Sequence, residues 1–183
     1  RSNGEGMYIG HTGISGTASG NSTGFGPPPR MDQVEIFNNI VDSTDWHGIQ
    51  LSNALTGCKI YKNIVRRYGL ANHSSQQAGI LSGANIDGVQ IFDNMTVNGT
   101  GTGIVVFGYN RSNVYHNIVD SVKSGKGIEH GTYLKRNDVA PETVSPLIAV
   151  VTNNIFKDVE AYPAYPFAGP GTTGGEVSGN YFM

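Results

Sequence analysis

The sequence predicts an all-β solenoid, and three observations carry that prediction. One short phrase recurs along the chain: IFNNIV (36–41), IYKNIV (60–65), IFDNMT (91–96), VYHNIV (114–119), VTNNIF (151–156) and VSGNYF (177–182). The shared asparagines, Asn39, Asn63, Asn94, Asn117, Asn154 and Asn180, are 24, 31, 23, 37 and 26 residues apart, a period in the twenties stretched by insertions, as stacked repeats show. Around each asparagine the apolar pattern alternates with period two, as in a strand, and no helical period appears. Composition agrees: 26 glycines, many Asn, Ser and Thr, and 14% charged residues in a chain of 183 make a strand-and-turn composition in a chain of single-domain size.

Each phrase justifies one coil. Three residues before the asparagines stand Ile36, Ile60, Ile91, Val114, Val151 and Val177, all β-branched. Five before stand Val34, Cys58, Val89, Ser112, Ala149 and Gly175, small or apolar. One after stand Ile40, Ile64, Met95, Ile118, Ile155 and Tyr181. A second phrase follows nine or ten residues beyond three of the asparagines, at Gly48-Ile49, Gly103-Ile104 and Gly127-Ile128, and sixteen beyond Asn63, at Gly79-Ile80. Each coil must offer matching side chains to the coil above, so recurring amides and branched aliphatics are expected to line a shared interior. Cys58 then falls in the small inward column as a packed thiol.

The pattern resembles the right-handed parallel β-helix family, the architecture of pectate lyases and their relatives, over residues 5 to 182. The resemblance implies a single all-β domain, residues 1–183, of about six to seven coils, with loop insertions on one side. Strands would stack on their counterparts at about 4.8 Å, and buried asparagines would pass amide hydrogen bonds from coil to coil. Leucine-rich repeats share the period, but their leucine framework is missing. Neither end shows an amphipathic capping helix. A fragment of a longer β-helix, or end-to-end or side-on association with another chain, is therefore expected.

Four insertions interrupt the coils: His11 to Arg30, Arg66 to Ala78, Lys135 to Pro146 and Glu160 to Gly174. Beside the third lies GIEHGTYLKR, which gathers Glu129, His130, Tyr133, Lys135 and Arg136 as catalytic candidates. Near the N-terminus GMYIGH echoes it with Tyr8 and His11. Phrases like HGTY occur in β-helix proteins that act on polysaccharides, so the resemblance implies such a site. A lyase or C5-epimerase must neutralise a uronate carboxylate with Arg or Lys and remove the C5 proton with a base such as Lys, Tyr, His or Arg. Gly127 and Gly131 each offer a strand start, and the choice decides whether Glu129 or Tyr133 faces outward. Glycoside hydrolysis would need two opposed carboxylates, for which Asp45 and Glu129 are the candidates. The phrase around Asp45 is similar to the Asp-Gly strands of polygalacturonase-type enzymes, but their second Asp pair is absent. Asp45, Trp46, His47 and Gln50 in STDWHGIQL, with Tyr8, His11, Arg67 and His73, are the candidates for substrate binding. Phe37, Tyr61, Phe92 and Tyr115, two residues before successive asparagines, predict an outward aromatic stripe that suits a sugar or a protein.

Other classes are disfavoured. A formal charge of −2 without a basic cluster gives no footprint for nucleic acid. No apolar run approaches the roughly 20 residues of a membrane helix. One cysteine allows no internal disulfide. No His/Cys spacing suggests zinc, and Ca²⁺ between acidic loop residues has no motif behind it, so no cofactor is expected. Sequons begin at Asn21, Asn72, Asn94, Asn98 and Asn110, of which Asn94 should be buried in the ladder. Two functional expectations follow. One is an extracellular or cell-surface, polysaccharide-associated β-helix, a lyase or epimerase on acidic glycans. The other is a non-catalytic surface or structural module that binds glycan or protein along the solenoid.

Overall fold

The structure, a computed structural model, describes residues 1–10, 31–54, 56–132, 147–166 and 175–183. Among them the chain forms sixteen β-strands and no helix. After β1 (Met7–Ile9) come the coils β2 (Glu35–Phe37), β3 (Ile40–Asp42), β4 (Ile49–Ser52), and β5 (Cys58–Tyr61), β6 (Ile64–Arg66), β7 (Ile80–Asp87). The third coil is β8 (Val89–Phe92), β9 (Met95–Val97), β10 (Ile104–Tyr109). In the next two coils, β11 (Arg111–Tyr115) leads into the long β12 (Ile118–Thr132), and β13 (Ile148–Thr152) into β14 (Ile155–Pro166). β15 (Glu176–Ser178) and β16 (Tyr181–Phe182) end the described chain.

Every pairing between these strands is parallel, and each links a strand to its counterpart one coil away. The result is a parallel β-helix with three sheets. The first holds β2, β5, β8, β11, β13 and β15. The second holds β3, β6, β9, β16 and the opening residues of β12 and β14; the third holds β1, β4, β7, β10 and the later residues of those two long strands.

The register stacks like on like, as the repeat requires. Ile36, Ile60, Ile91, Val114 and Val151 form one buried column, and Ile49, Ile80, Ile104 and Ile128 another. Each such side chain contributes about 1.5–3 kcal/mol by leaving water. Cys58 lies buried between Val89 and the partly buried Val34. The recurring glycine before each isoleucine has a steric cause. A Cβ on Gly48 would come within 2.1 Å of Val65 Cγ1 and 2.6 Å of the Gly79 carbonyl oxygen. On Gly103 it would meet Val119 Cγ1 at 2.5 Å and the Gly127 carbonyl oxygen at 2.7 Å.

The asparagines form the ladder. Asn63, Asn94, Asn117 and Asn154 are buried, and each Oδ1 accepts from the backbone N–H and the side-chain amide of the asparagine one coil before it. Each side-chain amide also donates to a carbonyl of the preceding coil: Asn63 to Ile36, Asn94 to Ile60, Asn117 to Ile91, Asn154 to Val114 and Asn180 to Val151. The residue before each asparagine takes a left-handed backbone, with φ between 54° and 63° at Asn38, Lys62, Asp93, His116, Asn153 and Gly179. Asn, Asp and Gly reach that region most readily.

One expected interior column is corrected. With each asparagine pointing inward, alternation sends the following residue outward. Ile40 is 68% exposed, and Ile64 and Ile118 are exposed as well. The inward places go to Val41, Val65, Thr96, Val119 and Phe156. The insertions flank a single sheet. In sequence, 66–78 joins the second sheet to the third, while 11–30, 133–146 and 167–174 join the third to the first. The fourth was expected to begin at Glu160, but the chain stays in β14 as far as Pro166.

Candidate binding surfaces

The third sheet holds the cluster singled out in GIEHGTYLKR. Ile128 pairs with Ile104 and enters the core, so Glu129 points outward and His130 inward, in register with Val106. His130 is 2% exposed, and burial holds its ring below the usual imidazole range against the pull of the Glu129 carboxylate. Glu129 accepts from Lys126 Nζ at 2.6 Å. His130 and Glu129 therefore do not converge, and His130 cannot serve as a surface base. Tyr133, Lys135, Arg136 and His11 lie outside the described residues. The opposed carboxylates do not form either. Asp45 is held by Arg1 Nη2 at 2.6 Å and sits three coils from Glu129. Three strand spacings, about 14 Å, exceed the roughly 9.5 Å limit for a carboxylate pair.

The other sugar-contact candidates are mostly committed to the scaffold. His47 is buried, and its Nδ1 accepts from the Ala78 N–H at 2.9 Å. Burial pushes its pKa down to about 4. Gln50 is 4% exposed and donates to Ser52 Oγ at 3.2 Å. Arg67 is paired with Asp42, which also binds Arg66 Nε at 2.8 Å. Tyr8 is exposed on β1, beside Gln50 in register. Trp46 is also exposed, and its ring lies 6.4 Å from His73, tilted by 51°. That pair forms because the 66–78 segment folds over the 44–46 corner: Gly69, Leu70 and Ala71 donate their N–H groups to the carbonyls of Trp46, Thr44 and Asp45. Tyr68 pins the segment by entering the core.

The aromatic column is present, but its geometry restricts its use. Phe37, Tyr61, Phe92 and Tyr115 stack with centroids 4.9–5.0 Å apart and planes within 8° of parallel. Each inner ring thus covers its neighbours' faces, and the stripe turns ring edges to solvent. A sugar needs a ring face, and the inner rings offer none.

Sequence reasoning missed a groove at the corner between the third and first sheets. It has a volume of about 320 Å³ and is lined by Thr56, Asp87, Gln90, Asn110, Arg111 and Asn113, with backbone from Gly57 and Gly88. Here the third sheet passes to the first through one residue, Gly88 in one coil and Asn110 in the next. Both have a left-handed backbone, φ 71° and 60°. Asn110 donates its side-chain amide to Asp87 Oδ1. Gln90 and Asn113 are register partners on the outer face of the first sheet, and Tyr115 reaches Gln90 Oε1 at 3.5 Å. The signal available in sequence was the polar outer column itself, Glu35, Lys59, Gln90 and Asn113.

Among the described residues no group of His, Cys, Asp and Glu gathers to hold a metal ion, and no helix is long and apolar enough to cross a membrane. Comparisons with protein-family models, curated proteins and solved structures find no match to this chain.

Proposed function

We propose that this chain is a non-catalytic, polysaccharide-associated β-helix that acts outside the cell and holds a glycan against its first sheet. The observation that carries the reading is the corner groove. Carboxamides at Gln90, Asn110 and Asn113, a carboxylate at Asp87 and a guanidinium at Arg111 line it together. Such planar donors and acceptors match the hydroxyl pairs of a sugar. Its volume falls at the small end of ligand sites. The extracellular placement rests on the family resemblance. The test is a titration of ¹⁵N-labelled protein with a panel of soluble oligosaccharides. Shifts confined to residues 87–90 and 110–113 support the reading, and none across the panel rejects it.

The Lys126–Glu129 pair on the outer face of the third sheet favours a second reading. It stands shortly before Tyr133, Lys135 and Arg136 in sequence, residue types that a uronate lyase or epimerase needs to hold the sugar carboxylate and take the C5 proton. New ultraviolet absorbance from an unsaturated sugar, or deuterium uptake at C5 of the polymer, would support it. The absence of both on alginate and pectin would remove it.

A further inference from the structure

We infer that the outer face of the second sheet binds the same face of a second copy of this chain, with the two solenoids antiparallel about a two-fold axis through the third coil. The residues that follow the ladder asparagines form the centre of that face. Ile40, Ile64, Met95, Ile118, Ile155 and Tyr181 stand in register, one per coil. Ile40, Ile64, Ile118 and Tyr181 are exposed, and Met95 and Ile155 are half-buried. Five strand spacings make the row about 24 Å long. Scattered apolar side chains are ordinary on a monomer's surface, but an unbroken row of them marks an interaction surface.

The charges beside the row name the partner. Two residues further along each strand, a second outward column runs Asp42, Arg66, Val97, Asp120, Lys157 in register. Counted outward from Val97, the column is its own complement: Arg66 and Asp120 stand one coil away on either side, and Asp42 and Lys157 two. A two-fold axis along the strand direction at the third coil therefore sets Asp42 against the partner's Lys157, Arg66 against the partner's Asp120, and Val97 against the partner's Val97. The same axis sets Ile40 against the partner's Ile155 and Ile64 against the partner's Ile118. An isologous contact requires this self-complementarity. Within one chain Arg66 bonds Asp42 at 2.8 Å and Lys157 reaches Asp120 at 3.5 Å, so the facing pairs alternate in sign in both directions.

The charges also fix the register. A slide of one coil one way opposes Arg66 to the partner's Lys157, and a slide the other way opposes Asp42 to the partner's Asp120. A two-fold axis along the solenoid would instead lay the charged column over the isoleucines. The face is three residues wide, about 10 Å, and is smaller than a standard interface. Dimerisation is therefore concentration-dependent and weakens as salt screens the charge pairs. The groove at the third-to-first corner is not part of this face, so the inference does not depend on the glycan reading.

The test is sedimentation velocity of the whole chain over a concentration series up to about 1 mM, in which a dimer is expected. Ile118→Lys and Arg66→Glu should each weaken association at least tenfold, and adding Asp120→Arg to Arg66→Glu should recover it. These positions lie on the outer face, and unchanged thermal melting shows that the variants fold. Cross-linking checks the register. A short bis-maleimide should join Val97→Cys to its own copy and fail with Ile118→Cys, because only residues of the third coil meet themselves; the native Cys58 is buried. A monomer throughout the series, association untouched by Ile118→Lys, or cross-linking of Ile118→Cys as efficient as that of Val97→Cys overturns the proposal.

Discussion

Asn94 donates both its backbone N–H and its side-chain amide to a single atom, Oδ1 of Asn117, each at 3.0 Å. The oxygen is buried, and so are both residues. Each ladder side chain therefore completes the hydrogen bonding of two coils, and removing one orphans groups on both sides. Asn117→Ala would leave two donors of Asn94 and the carbonyl of Ile91 without this partner. An orphaned buried group costs about 1–3 kcal/mol. The expected loss is above about 3 kcal/mol, read as a lowered urea midpoint. Asn180→Ala, at the exposed end of the stack, should cost about 1 kcal/mol. Equal losses at the two positions would show that the ladder carries no buried load.

Gly99 faces Tyr68 across the core. A Cβ at position 99 would lie 2.0 Å from Tyr68 Cζ and 2.1 Å from Cε2. Gly99→Ala must displace the ring, for about 1–3 kcal/mol, and loosen the 66–78 segment with it. Tyr68→Ala should make Gly99→Ala nearly harmless, a coupling visible in a double-mutant cycle. Additive losses would place Tyr68 elsewhere.

His47 predicts a pH dependence with a definite sign. Its folded pKa is pushed down to about 4, below the roughly 6.5 of an unfolded histidine. Between those values the unfolded chain binds the proton and the folded chain does not. Stability from this group is full above pH 6.5 and falls as pH drops toward 4, by about 3 kcal/mol at most. Buried His130, also lowered, acts in the same direction. Urea unfolding at several pH values should show that slope, and His47→Gln should flatten it. A midpoint independent of pH from 7 to 4.5 would contradict the burial of both rings.

Cys58 is buried and its thiol is pushed up, mainly by desolvation. A thiol held protonated inside a core is a poor nucleophile. A chromogenic disulfide reagent should leave the native protein unlabelled and react with one thiol per chain in denaturant. Rapid labelling of the native state would take Cys58 out of the interior column.

Stack interruption tests the aromatic column. Phe92 touches Tyr61 and Tyr115 at centroid distances of 4.9 and 5.0 Å. Phe92→Ala removes both contacts, each worth about 0.5–1.5 kcal/mol beyond area. A loss of about 1–3 kcal/mol is expected in thermal or urea unfolding. A neutral substitution would mean that the rings pack independently.

The repeat of asparagine with a branched residue three positions earlier was enough to read the coils, the ladder and the inward place of Cys58. Those features depend only on period-two alternation and on like stacking over like, both of which are local to one phrase. The same alternation, counted from Asn39, sends Ile40 outward, although its apolar character suggested the core. The register at Gly127 was open in sequence because two glycines offered a start. Pairing with Ile104 settled it and turned His130 inward.

What the sequence alone determined, then, is the all-β coil, because each coil must match its neighbour and that demand writes itself into the spacing of residues. Only the tertiary structure decided which outward groups meet. Gln90 and Asn113 are 23 residues apart, and Arg111 comes beside Asp87 only because Asn110 alone joins β10 to β11. Neighbours across coils are fixed by the turns between strands, and one left-handed residue at such a turn places side chains that no local pattern brings together.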